Sequence, residues 1–374
     1  MIYFDNAATS FPKPPQVAQA VVEAIASFGN PSRSAHPYAL AAGRAVEYAR
    51  DELAGFFRCQ ADNVAFTKNA TEALNIAIQS LEGHIVTTAA EHNSVLRPVH
   101  LKDHSVAALD DRGRVTLAAI QKVVRPDTVA VVAGHGSNVT GNVAPLAEIG
   151  AFCREKGLLF IVDAAQTAGL LPIDMTELAI DALCFTGHKS LYGLQGTGGI
   201  CLSSRFRPKA LLTGGSGSRS FETVQPAYMP DLLEAGTLNG HGIAGLLAGL
   251  GYVKSRGTAA LLAQAQDQAY RFYQGLRSLA PAQGTISFYG DYEAAIRLPI
   301  VTLNIGGLDS GAAAAILAEK YGIAIRAGVH CAPLLHRHFG TEKQGALRFS
   351  FSHFNTREEV DTALAALKEI IKQP

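Results

Sequence analysis

The chain has no tryptophan, and no function attaches to that absence. It has no excess of either charge: Lys plus Arg and Asp plus Glu each number 32, with no basic block. Nucleic-acid binding therefore has little support. Cysteine is sparse. The five are at 59, 153, 184, 201 and 331, an odd number with no CxxC spacing. That argues against a disulfide framework or a zinc site and makes a reducing cytoplasm the expected compartment. The first residues, MIYFDNAATS, have neither a basic stretch nor a long apolar one, so no signal peptide is expected. No apolar run approaches the about 18 residues of a membrane span, so no membrane partner is expected. Repeats and low-complexity tracts are also missing.

What is present suits a globular α/β enzyme. The 374 residues are 48% hydrophobic and 17% charged, enough for one large domain and a smaller one. Short apolar runs alternate with amphipathic stretches. VAFTKNAT (64–71) leads into EALNIAIQSL. IVTTAAEH (85–92), VAVVAGHGSN (129–138) and LLFIVDAAQ (158–166) read as buried strands, followed by ALCFTGHKS (182–190) and GGICLSS (198–204). Helical stretches such as 144–156 lie between them. This alternation predicts a mainly parallel sheet with helices on both faces. Polar residues sit at the strand ends: Glu91 with His92, Asn138, Asp163 with Gln166, and Thr186, His188 and Lys189. Ligands bind at those ends in parallel sheets, so these residues are expected to converge.

Residues 213–240 are rich in Gly, Ser and Pro and read as a long surface loop. Helices are predicted near 241–256 and 258–279. A smaller α+β unit follows: a strand in LPIVTLNI, a helix over 310–321, strands in IAIRAG and GALRFSFS, and a helix over 356–372. Asn355 or Thr356 can cap that last helix.

Several residues carry chemistry. Cys331, in RAGVHCAP, is open to three readings: core filler, metal ligand or nucleophile. Lys189 follows a strand. An arbitrary lysine is a solvated surface group, but one desolvated at a strand end can form a Schiff base. Asp163 ends an apolar run. It is either a helix cap or a partner for a buried cation. An aspartate facing a ring nitrogen, together with a lysine Schiff base, is the general signature of pyridoxal phosphate binding. Thr71 sits at a helix start, where backbone N–H groups favour an anion; the alternative is a plain capping box with Glu72. His92 sits at another strand end, where an imidazole can stack on a cofactor ring; the alternative is a structural histidine. Cys153, Cys184 and Cys201 read as core residues, and Cys59 has no assigned role.

The chain resembles the class V aminotransferase family of fold-type I pyridoxal-phosphate enzymes, and within it the cysteine desulfurases. The markers run in order along nearly the whole chain: YFDNAATS, GNPSRSAH, NATEALN, AAEHNSVLRP, SNVTGNVAP, VDAAQTAG, TGHKSLYGLQGTGG, EAGTLN, RAGVHCAP and RFSFSHFNTREEVD. The resemblance implies a large domain over 14–255, with a mainly parallel seven-stranded sheet, and a small domain from 1–13 and 256–374. It implies that Lys189 bonds pyridoxal 5'-phosphate, Asp163 meets its ring nitrogen, Gln166 its phenolic oxygen and His92 its ring. Thr71, Thr186 and His188 match phosphate ligands. Thr237 matches one donated by the other subunit, which implies a homodimer. Asn138 and Arg348 match groups that hold the substrate carboxylate, and His36 a histidine near the entrance. Cys331 matches the nucleophile. Only about five residues separate it from the IAI strand, a short connection like that of group II desulfurases. The YGLQGTGG stretch departs from relatives that have Pro after Tyr-Gly.

The implied reaction turns L-cysteine into L-alanine with a persulfide on Cys331, passed on to an acceptor protein or small thiol. Arg326 and His330 are expected sources of positive charge beside the thiolate. The rival readings are a selenocysteine lyase, acting on L-selenocysteine, and another class V transamination or β-elimination.

Overall fold

The computed structural model describes residues 1–31, 34–279 and 286–372. A seven-stranded sheet runs in the order Val64–Thr67, Gly198–Leu202, Ala182–Thr186, Leu159–Asp163, Thr128–Gly134, His84–Thr88 and His104–Ala107. Six strands are parallel. Gly198–Leu202 is antiparallel to both of its neighbours. Its C-terminal end therefore lies away from the edge where the other strands deliver their polar residues.

Side chains alternate between two cores, as the period of two requires. Phe160, Val162, Leu183 and Phe185 enter one core, with Leu53 and Phe57 of the helix Pro37–Phe57 and Ile149 of Leu146–Glu155. Ile161, Ala182 and Cys184 enter the other, with Leu74 and Ile78 of Ala70–Gln79 and Val95 of Asn93–Val99. Helices thus cover both faces, and strands buried on both sides read as continuous apolar runs.

A second, antiparallel sheet has the order Arg326–Gly328, Ala346–Ser350, Ile300–Ile305 and Ile286–Phe288. The helices Thr258–Leu279, Ser310–Tyr321 and Arg357–Lys372 pack on it around Phe272, Leu303, Leu347 and Phe349. The first residues join this part of the molecule: Ile2–Tyr3 pairs with Ile323–Ala324, and Asp5 bridges to Ser350. Another cluster, including Ala7, Leu170, Leu298 and Ile300, joins the two parts.

One expectation is corrected, and two open alternatives are decided. IAIRAG does not form one strand. Ile323–Ala324 pairs with the N-terminus and Arg326–Gly328 with Ala346–Ser350, so the chain changes sheet at Ile325. Thr71 does not cap its helix. Asn69 does, accepting the Glu72 N–H, while the Glu72 carboxylate accepts the Lys68 N–H. At the last helix the choice falls on Thr356, which forms a reciprocal capping box with Glu359. Residues 213–239 form no helix or strand. Glu234 anchors this stretch by accepting from buried Arg50 and from the Phe66 N–H. The small-domain range 256–374 includes 280–285 and 373–374, which lie outside the described residues. No helix among the described residues is long and apolar enough to cross a membrane.

Candidate active site

The carboxyl ends of the parallel strands open into a cavity of about 380 Å³, a volume typical of small-molecule sites. It brings together Lys189, Asp163, His92, Thr71, Gln166 and Thr186, joined by His188, Asn138, Arg348 and Cys331. Two expected residues are elsewhere. Thr237 is exposed and lines a separate hollow of about 470 Å³ beside Arg50 and Glu234. His36 is exposed and caps the helix Pro37–Phe57, its Nδ1 accepting the Ala39 N–H at 3.3 Å.

Asp163 ends its strand buried. Its carboxylate accepts one hydrogen bond among the described residues, from the Ala165 N–H at 2.9 Å. Burial pushes its carboxyl up, opposed by that bond and by Lys189. Lys189 lies three residues past the neighbouring strand. Burial pushes its ammonium down to about 8, opposed by Asp163 and reinforced by Arg348 and Arg326. A loop built on Ser10 and Lys13 secures this turn: Lys13 Nζ donates to the His188 carbonyl at 2.6 Å, and Ser10 Oγ to that of Lys189 at 2.8 Å. His188 itself sits at 3.1 Å from Thr9 Oγ1 and is pushed down to about 4, chiefly by burial.

His92 caps Asn93–Val99. Its Nδ1 accepts the Ser94 N–H at 3.1 Å, so the neutral ring carries its proton on Nε2. Burial, then Lys189 and nearby arginines, push it down to about 4. Ser94 Oγ lies 2.9 Å from the same nitrogen and 2.7 Å from Thr71 Oγ1. Beside His92, buried Glu91 accepts from Thr88 Oγ1 and the Gly134 N–H. Burial pushes its carboxyl up to about 8. Gln166 Nε2 donates to the Ala7 carbonyl at 3.1 Å, and Thr186 Oγ1 to that of Thr197 at 3.5 Å.

Arg348 reaches the cavity through strand alternation. Leu347 and Phe349 enter the core of the second sheet, so Arg348 takes the opposite face. There it pairs with Asp5 at 2.6 Å and donates to the Asn138 carbonyl at 3.0 Å. Its Nε is buried without a partner among the described residues. Arg326 stands directly opposite in strand register and also lines the cavity. Two guanidinium groups on facing residues favour an anion between them.

Cys331 is half-buried at the cavity wall. Both His330 and Cys331 have left-handed backbones, φ 50° and 57°; for residues with a Cβ that costs about 1–2 kcal/mol each. Bonds hold them there. Asn138 Nδ2 donates to the His330 carbonyl at 2.8 Å and the Asn93 N–H to the Cys331 carbonyl at 2.7 Å. The expectation that His330 supplies positive charge is overturned. Its ring is buried against His336, and burial, then Arg348, hold it far below the ordinary imidazole range, so it is neutral. Of the two expected sources Arg326 remains, on the cavity wall.

Sequence reasoning missed Asp5 and Ser94 as parts of this arrangement. Glu91 beside His92 was visible as a polar strand end. The tie of Asp5 to Arg348 spans the chain and has no local signal. Among the described residues no group of three or more His, Cys, Asp or Glu is set to hold a metal.

A buried lysine and an acidic partner at the edge of such a sheet match the general signature of a pyridoxal-phosphate enzyme. The family model for class-V aminotransferases matches residues 2–363, and the chain belongs to that family. It is 33% identical to a probable cysteine desulfurase from Pyrococcus abyssi, over all of this chain and 94% of that one. It is 29% identical to cysteine desulfurase IscS of Glaesserella parasuis, covering 99% and 92%. The apo structure of a cysteine desulfurase from Thermococcus onnurineus NA1 superposes with a TM-score of 0.92 at 31% identity, covering 99% and 94%.

The residues present fit the pyridoxal phosphate that this family uses. Asp163 is a buried acid with spare acceptor capacity, and Lys189 a buried amine. The first N–H groups of Ala70–Gln79, beside Thr71 and Ser94, emerge at the cavity as an anion site.

Proposed function

We propose that the chain is a pyridoxal-phosphate-dependent cysteine desulfurase. It converts L-cysteine to L-alanine and leaves a persulfide on Cys331 for an acceptor protein or small thiol. The observation that carries this reading is that Lys189, Asp163 and Cys331 line one cavity with Arg326 and Arg348.

Lys189 would hold the cofactor covalently. Asp163 would meet its ring nitrogen, Gln166 its phenolic oxygen and His92 its ring, with Thr71, Thr186 and His188 at the phosphate. When bound, the group supplies an electron sink that makes Cα–H acidic and lets the substrate C–S bond break. Arg348 and Asn138 orient the substrate carboxylate. Asn138 also bonds the His330 carbonyl, which couples substrate position to the Cys331 loop. Lys189, with its amine pushed down to about 8, moves the proton at Cα. The thiolate of Cys331 takes the substrate sulfur: an S–S bond forms as the C–S bond breaks, and the carbon skeleton leaves as alanine. Arg326 favours the thiolate.

A homodimer in which Thr237 completes the partner's phosphate site is part of this proposal. Its support is that Thr237 is exposed and outside its own chain's cavity, on a stretch that also exposes Phe221 and Val224. His36 is proposed near the entrance of the same shared site. The division into 14–255 and 1–13 with 256–374 is likewise proposed, supported by the two sheets with separate cores. A reducing cytoplasm suits a nucleophile that must stay a thiol.

The test incubates the loaded enzyme with L-cysteine and a reductant, then quantifies alanine and sulfide. Equal amounts support the proposal. A 2-oxo acid without alanine supports another class V reaction, and turnover of L-selenocysteine but not L-cysteine supports a lyase.

A further inference from the structure

Beneath Cys331 two buried histidines and a threonine form a hydrogen-bonded chain. His330 Nε2 lies 3.3 Å from the Arg326 carbonyl. His330 Nδ1 lies 3.3 Å from His336 Nε2, and His336 Nδ1 lies 2.7 Å from Thr341 Oγ1. The rings stack, with centroids 5.5 Å apart. All three residues are buried.

The carbonyl at one end orders the protons on the two rings. A carbonyl only accepts, so His330 Nε2 carries hydrogen. The ring is neutral, so its Nδ1 is bare and must accept; His336 Nε2 therefore donates to it. His336 is neutral too, since burial pushes it down against the opposing Thr341 backbone. Its Nδ1 then accepts the Thr341 hydroxyl at 2.7 Å, and the same hydroxyl lies 3.4 Å from the His336 carbonyl. A second proton on His330 would set two N–H groups against each other. It would also face Arg348, His336 and Arg326, the charged and titratable groups around that ring.

The chain bears on the nucleophile because His330 and Cys331 share the left-handed stretch. The His330 carbonyl goes to Asn138, and the Cys331 carbonyl to the Asn93 N–H. Those bonds orient the peptides but leave the His330 side chain to be fixed by its own two partners, the Arg326 carbonyl at Nε2 and His336 at Nδ1. His336 is the side-chain partner of the two, on the short helix Pro333–His338 that follows Cys331. We propose that His336, acting through His330, is a positioning residue that holds Cys331 in its left-handed conformation with Sγ at the cavity wall. This rests on the reading of Cys331 as the nucleophile.

The experiment compares His336→Phe with His336→Gln, whose amide N–H replaces the Nε2 donor. Two quantities are read: kcat and KM for L-cysteine, and the rate at which iodoacetamide alkylates Cys331, followed by peptide mass. Alkylation needs no turnover, so it tests positioning even if the desulfurase reading fails; that reading is tested separately by Cys331→Ser. His336→Phe is expected to lower kcat roughly 10- to 100-fold, leave KM near that of the parent and change the alkylation rate, with His336→Gln restoring most of both. Unchanged kcat and alkylation in His336→Phe overturn the proposal. Equal impairment in both variants at parental melting temperature also overturns it. If His336→Phe does not fold, Thr341→Val replaces it. Without the hydroxyl, His336 is free to turn its proton toward the Thr341 backbone, and kcat is expected to fall in the same direction. Parental kcat and alkylation in that variant overturn the inference.

Discussion

Arg348 and Asp5, 343 positions apart in sequence, pair at 2.6 Å. Through Asn138 the same guanidinium reaches the loop after the strand Thr128–Gly134. Arg348 is 1% exposed, so removing its partner strands a buried cation. Asp5→Ala is expected to cost roughly 3–5 kcal/mol of stability, and Asp5→Asn less, measured by urea denaturation. Arg348→Lys keeps the charge but loses the fork. Its KM for L-cysteine is expected to rise about 10- to 100-fold, with a smaller change in kcat.

Glu91 gives a pH prediction. Burial pushes its carboxyl up to about 8, against hydrogen bonds from Thr88 and Gly134. An unfolded glutamate titrates at about 4.3. Between these values the folded chain holds a proton that the unfolded chain has lost, so this group's contribution to stability falls as pH rises through that window. Glu91→Gln cannot titrate. Parent and variant should melt at similar temperatures near about pH 5, with the variant gaining on the parent toward about pH 8. Parallel melting profiles would contradict this.

Lys189 gives a second. Burial pushes its ammonium down to about 8, with Asp163 opposing. The neutral amine is the form that bonds a carbonyl. The rate of covalent cofactor capture, trapped with borohydride and mapped by peptide mass, should therefore rise through about pH 8 and level off above it. Lys189→Ala should carry no label at any pH. Label on another lysine in that variant would move the assignment.

Much of this was readable in the residues. Lys189, Asp163 and His92 each follow an apolar run, and the topology of parallel strands gathers such positions at one edge. The direction of Gly198–Leu202 was not readable, because either orientation buries the same alternating side chains. The strands His104–Ala107 and Ile286–Phe288 are short, half-polar and at sheet edges, so they lack a hydrophobic period. The neutrality of His330 depends on where its ring is buried, and no local pattern encodes that. The pairing of Asp5 with Arg348 depends on a contact between the two ends of the chain.

Glu234 tests whether the long stretch 213–239 is held by one residue. It takes both Nη groups of Arg50 and the Phe66 N–H. Glu234→Ala leaves Arg50, 2% exposed, without that partner and is expected to cost roughly 3–5 kcal/mol. Limited proteolysis should then cut within 213–239 sooner than in the parent. Unchanged cleavage would show that other contacts hold the stretch.

The most direct measurement concerns Cys331. The loaded enzyme is mixed with one equivalent of L-cysteine without reductant, quenched and digested, and the Cys331 peptide is weighed. That peptide should gain the mass of one sulfur atom, equal in amount to the alanine formed, and both the gain and alanine formation should be lost in Cys331→Ser. Alanine formed at the parental rate by Cys331→Ser, or sulfur carried on a different cysteine, would contradict this.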